Sequence, residues 1–532
     1  MNHRLLTSAV VGLALGSAML TSGTTTASPG TTERVSVDSA GNQGNDHSGG
    51  PLMSGNGRYV VFSSFASNLA PQGGNMAYPR ILLHDRQTGE TTHLNVSSVA
   101  SISEDGRYLA YSSHASDLVP DDTNDADDVF AYDRETDATE RISVDSAGGQ
   151  ANGSSHGGTL SPDARFVIFS SDASNLVAED TNEQTDIFLH DRVTGRTERV
   201  SVSSDGSEAN DFSANAAVSA NGCCVAFMSW ASNLVPGDTN LGPHVFLRDR
   251  QLGVTTRVDV DSAGRPGTGT SSYPSVSADG RYIAFSSDAP DLVEGDTNTC
   301  PAVWQQPGQC PDIFVHDRET GSTTRVSVSG QGDEANDRSD WPAVSADGRY
   351  VAFWSEASNL VAGDTNVCPP FESSPGHCPD IFVYDRQTGE TTRVSVGITG
   401  NQGNGWLESD PPAISADGRY VAFESWSTNL VLGDTNEGTD VFVRDREAPA
   451  PALSASEVAA LEAAPPPEID TVDECGEPPK DEGSAPFWRD RDNVVAGALV
   501  MMVVVAFFFE RWWSWRLSAS GEDADPQDEG NG

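Results

Sequence analysis

Lysine is all but missing from this chain of 532 residues. Lys480 is the only one, and 31 Lys and Arg stand against 78 Asp and Glu, for a formal net charge of −47. That balance argues against nucleic acid as a ligand, because such affinity rests on neutralising phosphates with basic side chains. It suits a strongly solvated surface that attracts cations. Catalytic signatures are missing as well: there is no G-x-S-x-G elbow, no H-E-x-x-H and no Gly-rich phosphate loop. Nucleophile-elbow acyl transfer, zinc-peptidase chemistry and P-loop phosphate binding therefore lack support. Paired carboxylates are everywhere in so acidic a chain and carry no catalytic information. Helical periodicity is scarce, and cysteines number 7.

Long apolar runs are confined to the two ends. Leu5–Leu20 follows His3 and Arg4 and precedes Thr25-Thr26-Ala27, the layout of a secretory signal with a small-residue cleavage site. Residues 1–27 are read as that signal. Val494–Phe509 is an apolar run of 16 residues, slightly short of the roughly 20 that span a bilayer. Trp488 before it and Trp512, Trp513 and Trp515 after it extend it as interfacial belts. Residues 489–516 are thus expected to be a single membrane anchor, with a buried core helix as the alternative, and 517–532 an acidic tail. Residues 447–488, rich in Ala, Pro and Glu, are expected to be an extended stalk. Cys475 in that stalk is open to an intermolecular disulfide. The expected location is the extracytoplasmic face of a membrane, with the oligomeric state left open.

Between these ends, one phrase is written seven times. SADGRYVAF at Ser415–Phe423 recurs with variations from Ser54, Ser103, Ser161, Ser219, Ser277 and Ser345. Asp-Gly and Asn-Gly favour tight turns, and the β-branched and aromatic run that follows favours a strand. In Ala343–Val396 the full unit shows four short strands: Ala343–Ser345, Tyr350–Ser355, Asp380–Asp385 and Thr391–Val396. The third strand ends in Asp-Arg in every unit, from Asp85-Arg86 to Asp445-Arg446. Seven four-stranded units read as an all-β, seven-bladed β-propeller over residues 28–446. The seventh unit lacks its last strand, whereas Thr32–Val37 (TERVSV) is a last strand with no unit before it. Pairing the two closes the ring and removes an exposed edge.

The units resemble WD40-like repeats of the TolB-type propeller family, which carry S-x-D-G-[KR]-x-[IV]-[AV]-[FY] followed by a D-[IV]-[FY] strand. The resemblance spans roughly residues 32–446 and implies the fold. It implies little about function, since propellers host binding scaffolds and unrelated enzymes alike.

Features present in every unit are what every blade needs, so the Asp-Arg pairs and Asp-Gly turns read as structural. His84, His190 and His316 share one position with Tyr and Arg elsewhere and read as solvated or inter-blade residues. Strand parity puts the loops between second and third strands on the same face as the linkers entering the next blade, and function favours such long loops. Two of them carry insertions, with Cys300 and Cys310 in one and Cys368 and Cys378 in the other. Disulfides are the expected pairing, with zinc as the alternative. Cys223-Cys224 replaces the usual Arg-Tyr and reads as small buried side chains. The insertions present Trp304 and Phe371, and the neighbouring linkers add Tyr273, Asp340, Trp341, Trp406, Glu408 and Asp410. Aromatics among carboxylates on one rim suit a sugar ring or a peptide; a plug in the channel mouth is the equal alternative. The loop phrase D-T-N-x-x-x-D offers Asp180, Asn182 and Asp186, and again Asp434, Asn436 and Asp440, as weak Ca²⁺ candidates. Asx turns explain the same residues without metal. No other cofactor is expected, and no catalytic residue is assigned. The function expected from these features is a membrane-anchored extracellular binding module for protein or glycan. The alternatives are a surface carbohydrate-active enzyme and a structural envelope or adhesion component.

Overall fold

Strands of six residues rich in Val, Ile and Phe cannot bury both faces in a single sheet, and here each sheet lies between two others. The computed structural model describes residues 30–467, except 70–78, 97, 240–241, 301–307, 367–377, 408–409 and 437. Seven antiparallel four-stranded sheets follow one another. Blade 6 is representative: Ser339–Val344 is innermost, followed outward by Tyr350–Ser355, Asp380–Asp385 and Glu390–Arg393. Seven apolar clusters form the core, each shared by two adjacent blades. Within most blades a second-strand aromatic stacks on a third-strand Phe, as in Phe353–Phe382 at 5.9 Å. Each such buried ring contributes roughly 1.5–3 kcal/mol.

The ring closes as its two incomplete ends require. Thr31–Arg34 pairs antiparallel with Asp440–Asp445, Thr31 opposite Asp445 and Arg34 opposite Phe442. Blade 7 therefore joins strands from the start and the end of the repeat region.

The repeated phrase builds the tight-turn end. Ser415 Oγ donates to Asp417 Oδ1 at 2.6 Å and accepts from Tyr420 N–H at 2.9 Å, which fixes the turn. Gly418 has φ 73°, and a Cβ there would lie 2.1 Å from the Tyr350 ring of the preceding blade. Glycine is demanded by both facts. Arg419 makes a two-pronged bond to Asp445 at 2.8 and 2.7 Å. Tyr420 lies between two guanidinium groups, Arg419 at 4.8 Å and Arg86 of the next blade at 4.3 Å. Every element of the phrase thus serves a blade or its junction.

The three histidines are inter-blade but not solvated. His84, His190 and His316 are buried and hydrogen-bond Thr91, Thr197 and Thr323. Those threonines donate to the carbonyls of Val37, Val144 and Val260, which belong to the preceding blade. The segment after the ring also departs from a fully extended stalk. Ala455–Glu462 is a helix whose N-cap Ser454 and Glu457 form a capping box. The Ala-rich run after a Ser-x-x-Glu start favours it. Its end is tied to blade 7 by Asn404 Nδ2 donating to the Ala464 carbonyl at 3.1 Å. Among the described residues no helix is long and apolar enough to cross a membrane. The signal, the anchor, the acidic tail and Cys475 all lie outside the described residues.

Candidate binding site at the channel mouth

The innermost strands border the central channel, and five of them carry a register shift near the long-loop end. The residue at that shift takes positive φ in each case. Blades 1 and 3 place Gly50 and Gly157 there, and blade 4 places Asn215, residue types that tolerate this conformation. Blades 5 and 6 instead place Tyr273 and Trp341, both at φ 52°. A bulky residue held there costs on the order of 1–3 kcal/mol. Pro274 and Pro342 follow them, in a bulge where a missing ladder N–H is tolerated.

These strained residues meet. The Tyr273 and Trp341 rings lie 5.9 Å apart, and Trp341 packs edge-on against Trp354 at 5.4 Å. Arg338 lies 5.6 Å from the Trp341 ring and 5.7 Å from Trp354, and bonds Asp340 at 2.9 Å. Tyr273 is 39 % exposed whereas Trp354 is 1 % exposed, its Nε1 buried without a hydrogen-bond partner among the described residues. Burial first, and then the Asp340 carboxylate, raise the Tyr273 phenol above its ordinary range. Burial followed by Asp337 likewise raises Glu356. Aromatic faces, one guanidinium and nearby carboxylates make a surface able to stack on a ring and bond its polar edge.

Of the rim residues expected from the sequence, Tyr273, Asp340 and Trp341 are brought together. Trp406 and Asp410 belong to blade 7; the Trp406 carbonyl accepts from Trp426 N–H at 2.9 Å, and Asp410 lies beside Gly50. Trp304, Phe371 and Glu408 lie outside the described residues. Sequence reasoning missed Arg338, Trp354 and Glu424. Glu424 reaches from blade 7 to accept from Gly50 N–H at 2.8 Å, and a Cβ on Gly49 would collide with it at 2.0 Å. The signal was available: Trp354 and Glu424 stand where other second strands have Ser63, Ser112, Ser170 and Ser286.

Cys300 and Cys310 form a disulfide with Cα atoms 4.9 Å apart. Cys378 is also disulfide-bonded, and Cys368 lies outside the described residues. Cys223 and Cys224 are free thiols.

The D-T-N loops do gather carboxylates, and an arginine stands among them. Arg199 Nη1 lies 3.2 Å from Asp180, 3.0 Å from Asp186 and 2.9 Å from Glu208. Arg34 Nη1 lies 3.5 Å from Asp434 and 3.2 Å from Asp440. Asn182 turns its amide N–H to Asp186 at 2.9 Å, and Asn436 turns its own to the Gly44 carbonyl at 3.0 Å. Asp296, Asp312 and Glu334 are close enough together to hold a metal ion, and Arg325 is bonded to Glu334 within that group.

No protein-family profile and no curated protein matches the sequence. Solved structures do. TolB from Acinetobacter baumannii is 15 % identical over 74 % of this chain and 81 % of its own, with TM-score 0.35. A manganese complex of an oligogalacturonate lyase is 12 % identical over 78 % and 92 %, TM-score 0.46. The propeller domain of the Trilobed protease from Pyrococcus furiosus is 12 % identical over 75 % and 93 %, TM-score 0.45. The chain's own strand pairing makes it a β-propeller. The blade count rests on its own sheets.

Proposed function

We propose that the protein is a binding module, exported and tethered to a membrane by residues 489–516, that seats a glycan or a peptide at the long-loop mouth of its channel. The observation that carries this reading is the placement of Tyr273 and Trp341 in left-handed backbone where sister blades use Gly or Asn. Strain of this kind persists where the surrounding structure over-determines it, and it clusters at ligand sites. Arg338 and Asp340 supply the polar contacts beside the rings. Screening the purified protein on glycan and peptide arrays tests the reading. Bound ligands are expected to lose at least about tenfold in affinity with Trp341→Ala, an amount of free energy that one aromatic anchor can carry. Hits that bind this variant unchanged would place the site elsewhere. Extraction of the chain from membranes by alkaline carbonate would refute the tether.

A further inference from the structure

Six blades share one junction, and the fourth departs from it. In the six, the arginine of the repeated phrase grips the aspartate that ends its third strand, as Arg281 grips Asp317 at 2.9 and 2.7 Å. The aromatic that follows is covered by the next blade's arginine, as Tyr282 is by Arg386 at 4.0 Å. Blade 4 has Cys223 and Cys224 at these two positions. Asp249 thereby loses the partner from its own blade. Arg318 of blade 5 takes over, bonding Asp249 at 2.6 Å and donating to Cys224 Sγ at 2.7 Å.

The two sulfurs lie 2.8 Å apart. Closing them to a bond of about 2.04 Å moves the sulfurs by less than about 1 Å, and because adjacent Cα atoms, about 3.8 Å apart, stand closer than the usual disulfide span, the bond is strained and readily reduced. Their surroundings differ in the way an exchange pair needs. Cys223 is half-buried and reachable, whereas Cys224 is fully buried. Burial first, and then Cys223, push the Cys224 thiol up to about 12, and the exposure of Cys223 makes it the thiol that an external reagent meets. The Arg318 guanidinium stands where it stabilises negative charge on Cys224 Sγ as the proton leaves.

We propose that Cys223 and Cys224 form a reversible two-electron dithiol–disulfide site that exchanges with small external disulfides. The Cys223 thiolate attacks one sulfur of the external disulfide, forming a mixed disulfide and releasing the other half as a thiolate. Cys224 gives its proton to the departing thiolate, with Arg318 bonded to its sulfur, and then attacks Cys223 Sγ. The intramolecular S–S bond forms, and the second half leaves as a thiolate. Two cysteines are oxidised, one external disulfide is reduced to two thiols, and the two cysteine protons end on those thiols. Closure turns the Cys224 thiol that Arg318 bonds into a disulfide sulfur, so the junction between blades 4 and 5 is held differently in the two states.

The test uses the full chain in glutathione buffers running from reducing to oxidising, followed by acid quench, alkylation and mass spectrometry of the peptide holding both cysteines. The expected result is an unalkylated form lighter by two hydrogens than the dithiol. It grows as a two-electron couple, tenfold per about 30 mV, and reverses in reduced glutathione. A peptide that is doubly alkylated in every buffer would overturn the proposal, as would a glutathione adduct on Cys223 that never closes. Cys224→Ser is expected to stop at that adduct, and closure blocked without any adduct would overturn the order of attack. The wild-type titration stands by itself if this variant fails to fold.

Discussion

The two ends of the ring handle acidic side chains in opposite ways. At the tight-turn end the aspartate that closes each third strand is gripped by one guanidinium, from its own blade in six blades and from Arg318 of the next in blade 4. Bonds from Arg58, Arg281 and Arg349 hold Asp85, Asp317 and Asp385 down to about 2. At the long-loop end two or three carboxylates share one arginine out of water. Burial pushes Asp312 up to about 7 and Asp296, Asp380 and Asp434 up to about 6. The residue types are the same, and what differs is the ratio of charges and the access of solvent. One end is electrostatically settled, while the other stores unneutralised negative charge around single cations.

The comparison breaks most visibly on removal of an arginine. Arg325 serves Asp312, Asp296 and Glu334. Arg325→Ala strands them in a buried site, and a loss of about 3–5 kcal/mol is expected, as for breaking a buried ion pair. Arg281→Ala at the other end leaves Asp317 near water and still accepting from Glu319 N–H at 3.0 Å. A clearly smaller loss is expected there. Urea midpoints of the two variants decide the matter, and equal losses would erase the distinction between the ends.

Acid titration sharpens it next. A carboxylate whose folded pKa is raised binds more protons folded than unfolded, so stability rises as pH falls through that pKa. Between pH about 7 and about 4 the Asp312, Asp296, Asp380 and Asp434 group makes the protein more stable. Below about 4 the sign reverses. Asp85, Asp317 and Asp385, held down to about 2, then lose the stabilisation their arginines give. Thermal melts across this range are expected to show a maximum on the acid side of neutrality. Melting temperatures that only fall from pH 7 downward would mean that the long-loop carboxylates ionise normally.

The repeat made one end legible and hid the other. Seven copies of one phrase display the Ser, Asp, Gly, Arg and Tyr that build the tight turns, because each copy solves the same steric problem against the next blade. Ring closure was legible for the same reason, since a lone first strand and a missing last one fit together. The arginine among the D-T-N carboxylates was not legible. Arg199 and Arg34 come from fourth strands, and a linear reading of the loop sees only oxygens. Nor does a pattern of strands announce a left-handed Trp341, which arises from a bulge in register. The capping box at Ser454 could have been read, but an Ala-, Pro- and Glu-rich composition drew attention away from it. Trp354 and Glu424 broke the repeat at a fixed strand position, the kind of departure that does reveal a site.

The smallest effect separates a working surface from a plug. Tyr273→Gly removes the left-handed strain, worth about 1–3 kcal/mol. It returns roughly 0.5–1 kcal/mol as backbone entropy, and it gives up the packing of a ring that is 39 % exposed. These contributions nearly cancel, so a change within about 1 kcal/mol of zero is expected. Trp341→Gly relieves the same strain but uncovers Trp354, which is 1 % exposed. The cost there is larger, since large-to-small changes over buried aromatics run to about 3 kcal/mol or more. If Tyr273 serves a ligand, its glycine variant keeps the urea midpoint and loses binding on the arrays. If the ring plugs the channel, the same variant loses stability as Trp341→Gly does. A residue held in strained backbone at no benefit to stability has its justification outside the folded chain, in whatever it touches.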